Sequence, residues 1–367
     1  MVLPLIETCD VVRSSVLALA ANDLSLQYPK NDPWCQKFRE LSQYHHQRAL
    51  SLLASELKRL SALPLSETCP TASLLPTLAS VMIICNNGLL HTETSEWRIH
   101  LAVAREILNV ANTQSDSEQK VSHMQGFFLQ EYYATSVWMS MTNFDRVDKI
   151  ITKPPTSTND AALSGFVNII HQITQLERLR RSDEHLPDSD RIATSSHFQA
   201  QGIYTDIESA RAESLRITQN INFWSDTDRR NFELVVRMYY HATLIYTAQA
   251  LRSATPGSNT TTTARTKYSQ SHILDDLKEL TNFRTGLHFA QDIIWPLFIA
   301  GTEIRGDRAA QEIIEYNFKT VMHVSRKLDR ASVLSLLRSW WEFYGEELGS
   351  WIEFARMRSE DYDLIIV

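Results

Sequence analysis

The apolar-facing positions from Trp34 onward are Trp34, Phe38, Leu41, His45, Ala49, Leu53, Leu57 and Leu60. Steps of three and four residues line up on one side only in an α-helix. The same spacing recurs along the chain, and no segment alternates apolar and polar residues beside hairpin chemistry. The 367 residues include 10 glycines and 11 prolines, far below the ~7% and ~5% usual in globular proteins. Few tight turns can therefore be built, and the expectation is an all-α fold, one large domain over residues 1–367 with about ten or more helices.

Local punctuation places the elements. In Asn31-Asp32-Pro33, Asp32 can cap free N–H groups, and Pro33 suits a first turn where its missing donor costs nothing. A buried helix is expected over residues 8–26. A pair is expected over 73–86 and 96–111, with Asn86-Asn87-Gly88 as the turn between them. Residues 123–142 form an aromatic- and Met-rich helix. Pro154-Pro155 breaks the chain, and Asn159 or Asp160 caps a helix to about Arg181. Further helices are expected over 195–217, 226–253, 269–284, 286–301, 307–327 and 330–356. Residues 182–196 read as a polar loop. The Thr-rich stretch 254–267 reads as a flexible surface loop open to proteolysis.

The net charge is −7, which argues against direct nucleic-acid binding by this chain, since phosphate contacts need clustered Lys and Arg. Arg178, Arg180 and Arg181 form the longest basic cluster, and acidic residues follow at once. No apolar run reaches the ~18 residues of a membrane span, so no membrane insertion is expected. The start Met1-Val-Leu-Pro-Leu lacks the basic stretch and long apolar core of a secretory signal. Cys9, Cys35, Cys69 and Cys85 have no short zinc-type spacing and read as free thiols in a reducing compartment. No cofactor is expected.

Several clusters carry a chemical reading beside a plainer one. Asp275-Asp276-Leu277-Lys278-Glu279 has the spacing of a magnesium–diphosphate motif. The partner motif such chemistry needs is absent, and an acidic first turn facing water is the plainer reading. His288 and Asp292, four apart, share a helix face and fit either an acid–base dyad or a hydrogen-bonded pair. His45 and His46 point about 100° apart and cannot chelate one ion, and His45 reads as a satisfied core histidine. Phe127, Phe128, Tyr132, Tyr133 and Trp138 read as core or as a pocket wall. No nucleophile elbow, dinucleotide fingerprint or phosphate loop occurs.

The run Trp295-Pro-Leu-Phe-Ile-Ala-Gly, followed by Glu303 and Arg308, has physical content of its own. Pro296 kinks a helix or starts one. Gly301 permits a close helix crossing or a left-handed stop. Glu303 and Arg308 flank that stop and are placed to pair. Together with three other stretches, this run resembles the fungal-specific transcription factor domain, the regulatory half of zinc binuclear cluster activators. Those stretches are Val2-Leu-Pro-Leu with Ser15-Val-Leu-Ala-Leu-Ala-Ala, Trp97 with His100 and Leu101, and Tyr239-Tyr240-His241-Ala242-Thr243-Leu244-Ile245-Tyr246.

The resemblance implies an all-α regulatory domain of nucleus and cytoplasm that forms a homodimer. In sterol-uptake regulators of the family it buries a sterol and switches between retained and active states. This chain carries no six-cysteine cluster, basic linker or coiled coil, which leaves open an excised domain, a misplaced gene start or a solitary paralogue. The expected function is therefore small-molecule-responsive regulation, in keeping with secondary metabolism, with an apolar sterol- or lipid-like partner. Two alternatives stay open: an enzyme of specialised metabolism on the same helical pocket, and a ligand-free interaction scaffold. The densest large apolar side chains of the C-terminal half place the ligand site at Tyr239, Tyr240, Leu244, Trp295, Phe298, Trp340 and Trp341. Tyr and Trp there join an apolar body to a polar tip.

Overall fold

Asp32 Oδ1 accepts the Trp34 backbone N–H at 2.8 Å, and Pro33 opens a 29-residue helix, as the local signal requires. In the computed structural model the described residues are 3–61, 71–88, 96–113, 123–142, 162–184, 196–251, 259–281, 289, 291–325, 330–343 and 349–358. Among them are fourteen helices and no strand, so the fold is all-α. In order these are α1 (Leu3–Thr8), α2 (Asp10–Ser25), α3 (Pro33–Ser61), α4 (Thr71–Gly88), α5 (Glu96–Thr113), α6 (His123–Thr142) and α7 (Ser164–Glu184). There follow α8 (Ser196–Asn220), α9 (Asp226–Ala250), α10 (Asn259–Thr281), α11 (Ile294–Thr302), α12 (Arg308–Ser325), α13 (Arg330–Glu342) and α14 (Trp351–Met357). The described residues up to Tyr133 form one compact unit and those from Ala134 onward another.

In the first unit α2 packs on α3 and α4, and α5 pairs with α4. The face that α3 buries is offset from the expected stripe. Cys35, Ser42, Ala49 and Leu53 are buried, while Trp34 and Leu41 are 51% and 43% exposed. Small residues allow close helix approach, and Ser42 donates to the Ala18 carbonyl of α2 at 2.9 Å. Asn86-Asn87-Gly88 is not a turn but the last turn of α4. Asn87 is buried there, accepts from Asn22 Nδ2 at 2.9 Å and lies 3.4 Å from His46 Nδ1. Neighbouring His45 is half-buried, and its Nδ1 has no hydrogen-bond partner, so it is not the satisfied core histidine expected. Cys35 and Cys85 are buried free thiols, Cys9 is half-buried, and burial pushes the Cys85 thiol up to about 12.

The second unit is built round α9, which packs against α7, α8, α10 and α11. Ser225 starts it: its Oγ accepts the Asp228 N–H at 3.0 Å and donates to Asp228 Oδ2 at 2.7 Å. The apolar stripe of α9 is wide because neighbours cover most of it, and Val235, Val236, Met238, Ala242 and Ile245 are wholly buried. Asn259 to Lys267, read as loop from composition, is helical at the start of α10. Thr266 and Ser269 are buried on that helix, so packing on α9 overrides the weak helix preference of the threonines. Residues 252–258 lie outside the described residues, as do 185–195 of the polar loop, whereas 182–184 continue α7. Pro154, Pro155, Asn159 and Asp160 also lie outside.

The helices expected over 286–301 and 330–356 are shorter than the sequence pattern suggests. The first begins only at Ile294, which places Pro296 in the first turn, where no N–H is needed. The second ends at Glu342 and chain resumes helical form at Trp351, capped by Ser350. Arg356 of α14 meets both oxygens of Glu177 on α7 at 2.9 Å, with side chains only 10% and 14% exposed.

Candidate functional site

All nine residues of α11 are buried, which makes Trp295-Pro-Leu-Phe-Ile-Ala-Gly the most enclosed element of its unit. Backbone donors thin out at its C-terminus, the Gly301 carbonyl receiving the Ile304 N–H at 3.4 Å. Two indoles from α13 take their place: Trp340 Nε1 donates to the Thr302 carbonyl at 2.9 Å, and Trp341 Nε1 to the Gly301 carbonyl at 2.8 Å. Gly301 serves the close crossing rather than a left-handed stop, since a Cβ there would lie 2.9 Å from Leu337 Cδ1. The left-handed residue is Gly306, at φ +83°, in the turn before α12. Glu303 and Arg308 do not pair. Glu303 accepts from Gln249, and Arg308 pairs with Glu312.

The Trp295 ring lies among aromatics of three helices. Its centroid is 5.6 Å from Trp138 of α6, and 5.4 Å and 6.3 Å from Tyr239 and Tyr246 of α9. Phe166 of α7 extends the cluster, 5.9 Å from Tyr239. Tyr246 exchanges a 2.8 Å hydrogen bond with Thr174, and burial drives both phenols well above their ordinary range. Trp295 is 1% exposed, yet its Nε1–H has no hydrogen-bond partner. A buried unmet donor costs ~1–3 kcal/mol.

The seven residues expected to line one site are therefore not all brought together. Tyr239 and Trp295 are in ring contact, whereas Leu244, five residues on and about 140° round α9, is buried on the Tyr240 side. Phe298 packs edge-on to Trp351 at 4.8 Å. Trp340 and Trp341 have their N–H groups engaged by α11. Tyr240 lies elsewhere, because neighbours on a helix diverge by about 100°. Its hydroxyl donates to Glu208 of α8 and Arg211 stacks 4.7 Å over its ring. Trp138 is buried against Tyr239 and Trp295, whereas Phe128, Tyr132 and Tyr133 are buried in the other unit. Phe166, Tyr246, Gln249 and Trp351 join the site from the structure alone, since their convergence depends on tertiary contact.

Asp275 to Glu279 lies in the last turns of α10, not its first, and is engaged by arginines of α9. Arg237 bonds Asp276, Arg230 bonds Glu279, and Lys278 pairs with Asp275 at 3.1 Å. His288 lies outside the described residues. Among the described residues no three His, Cys, Asp or Glu side chains converge as metal ligands, and no helix is long and apolar enough to cross a membrane.

Surface cavities among the described residues flank this core. One, of about 730 Å³, is lined by Arg305, Arg308, Arg338, Glu315, Trp341 and neighbours. Its charges are met within the wall: Arg338 binds Glu315, and Arg305 sits over Trp340 and donates to the Phe343 carbonyl. Another, of about 500 Å³, is lined by Asn222, Phe223, Trp224, Asp228 and Phe289.

A fully buried, Gly-crossed, Trp-capped α11 is thus the most enclosed helix of the second unit in an all-helical fold. The chain belongs to the fungal specific transcription factor domain family, whose model matches residues 1–366. No curated protein and no solved structure matches it. Family membership gives the chain a regulatory role and makes it a domain of a nuclear protein.

Proposed function

We propose that this domain senses an apolar metabolite carrying one oxygen, a sterol or long-chain alcohol, and that the ligand lodges against Trp295 between α6, α9 and α11. The observation that carries the reading is the unmet Trp295 Nε1–H inside an aromatic cluster. A ligand oxygen accepting that N–H would recover the cost of the buried donor, and the hydrocarbon frame would face Trp138, Tyr239 and Tyr246. The resulting contact falls on α11, which α9 and α13 grip from either end, so a ligand preferring one packing shifts the population by its affinity difference. In the cell that shift would set homodimer formation and the partition between cytoplasm and nucleus, with genes of secondary metabolism as the output.

Hydrogen exchange of the whole chain with and without ergosterol tests this. Slowed exchange confined to the end of α6, α9 and α11 is expected. Exchange unchanged at saturating ergosterol and octadecanol would favour a ligand-free scaffold. That scaffold has its own support in the engaged N–H groups of Trp340, Trp341 and Trp351.

A further inference from the structure

The cavity at the start of α9 combines aromatic faces with a carboxylate. Phe223, Trp224 and Phe289 line it, and the Phe232 ring packs against two of them, 5.7 Å from Phe223 and 5.4 Å from Phe289. Trp224 is 90% exposed, the highest exposure of any large apolar side chain described. Asp228 is 7% exposed and is the one charged residue among the described lining. Its place in the cap explains the bonds to Ser225 through its N–H and Oδ2. It does not explain Oδ1, which is buried with no hydrogen-bond partner. A buried carboxylate oxygen without a donor is unfavourable unless something supplies one.

The wall chemistry selects the ligand. Aromatic faces attract a cation, most strongly over Trp. A carboxylate receives charged N–H donors in short, strong hydrogen bonds. An anion would meet Asp228 as a like charge, and a neutral hydrocarbon would leave Oδ1 as it is. The volume of about 500 Å³ is that of a small-molecule site. We propose that this cavity binds an organic ammonium ion, a protonated amine on a short alkyl or aryl body. Its N–H groups meet the Asp228 carboxylate and its body lies against Phe223, Trp224 and Phe289. The site shares no residue with the Trp295 cluster and stands whether or not that cluster takes a sterol.

Calorimetric titration of the full chain with hexylammonium, and with 1-hexanol as its neutral counterpart, tests the proposal. Hexylammonium should bind roughly tenfold or more tighter than hexanol. Asp228→Asn should erase that preference. Trp224→Ala removes an exposed ring and leaves folding intact, so it decides the matter if the Asp228 variant is unstable. It should weaken hexylammonium roughly fivefold or more. Equal affinity for amine and alcohol, no saturable binding of hexylammonium, or binding to Trp224→Ala as tight as to the unaltered chain would overturn it.

Discussion

Trp351 donates its indole N–H to Oε1 of Gln249 at 2.8 Å, joining α14 to α9 across 102 residues of sequence. The amide nitrogen of Gln249 donates in turn to Thr302 Oγ1 at 2.7 Å and to Glu303 at the end of α11. One side chain thus holds the C-termini of α9 and α11 and the start of α14.

Replacing Gln249 with Ala strips partners from the Trp351 indole and the Glu303 carboxylate at once. The expected loss is ~2–3 kcal/mol in urea unfolding, more than a single neutral hydrogen bond is worth. Trp351→Phe should lose ~1–3 kcal/mol, and the two changes together should cost less than their sum. Strict additivity would show that the bond contributes nothing.

Gly301→Ala should destabilise by ~1–3 kcal/mol, because the new methyl meets Leu337 Cδ1 at 2.9 Å. Leu337 is wholly buried and has no open side to move into. A double-mutant cycle with Leu337→Ala checks the cause: the Gly301→Ala cost should shrink once Leu337 is truncated.

His241 stacks flat on His272 at 4.7 Å and lies 3.3 Å from Ser269 Oγ. Burial first, then the neighbouring His272, Arg211 and Arg237, push its imidazole down to about 4. The unfolded chain takes up this proton near pH ~6.5. Stability attributable to His241 is therefore fully present above pH ~6.5 and is lost as pH falls toward about 4. Melting temperature against pH should fall less steeply across that window in His241→Gln than in the unaltered chain. Parallel curves would assign the acid sensitivity elsewhere.

What the sequence made legible was local. The Asp32–Pro33 start and the three-and-four spacing of a helix each depend on neighbours within a turn, and each matches the structure. What it hid depends on tertiary contact. Two stripes overlap on α3, and only docking on α2 chooses Cys35, Ser42 and Ala49 over Trp34 and Leu41. Composition calls Thr260 to Thr263 a loop, yet the helix they begin is held by its later, buried turns. At the candidate site, Tyr239 and Tyr240 look equivalent in sequence, and only the position of α8 sends one to Trp295 and the other to Glu208. Gln249 had no signal at all, since nothing in sequence distinguishes a glutamine that bridges three helices from one on the surface.

In the proposed complex the Trp295 N–H donates to an oxygen of an apolar ligand. Native mass spectrometry of the chain expressed in a fungal host, beside Trp295→Phe, tests it most directly. Trp295→Phe keeps an aromatic ring and removes only the unmet donor and one ring edge, so the protein should stay folded. One added small-molecule mass per subunit is expected on the unaltered chain, in a dimer, and its loss from the variant. Bare protein mass in both, or the same added mass retained by Trp295→Phe, would contradict it.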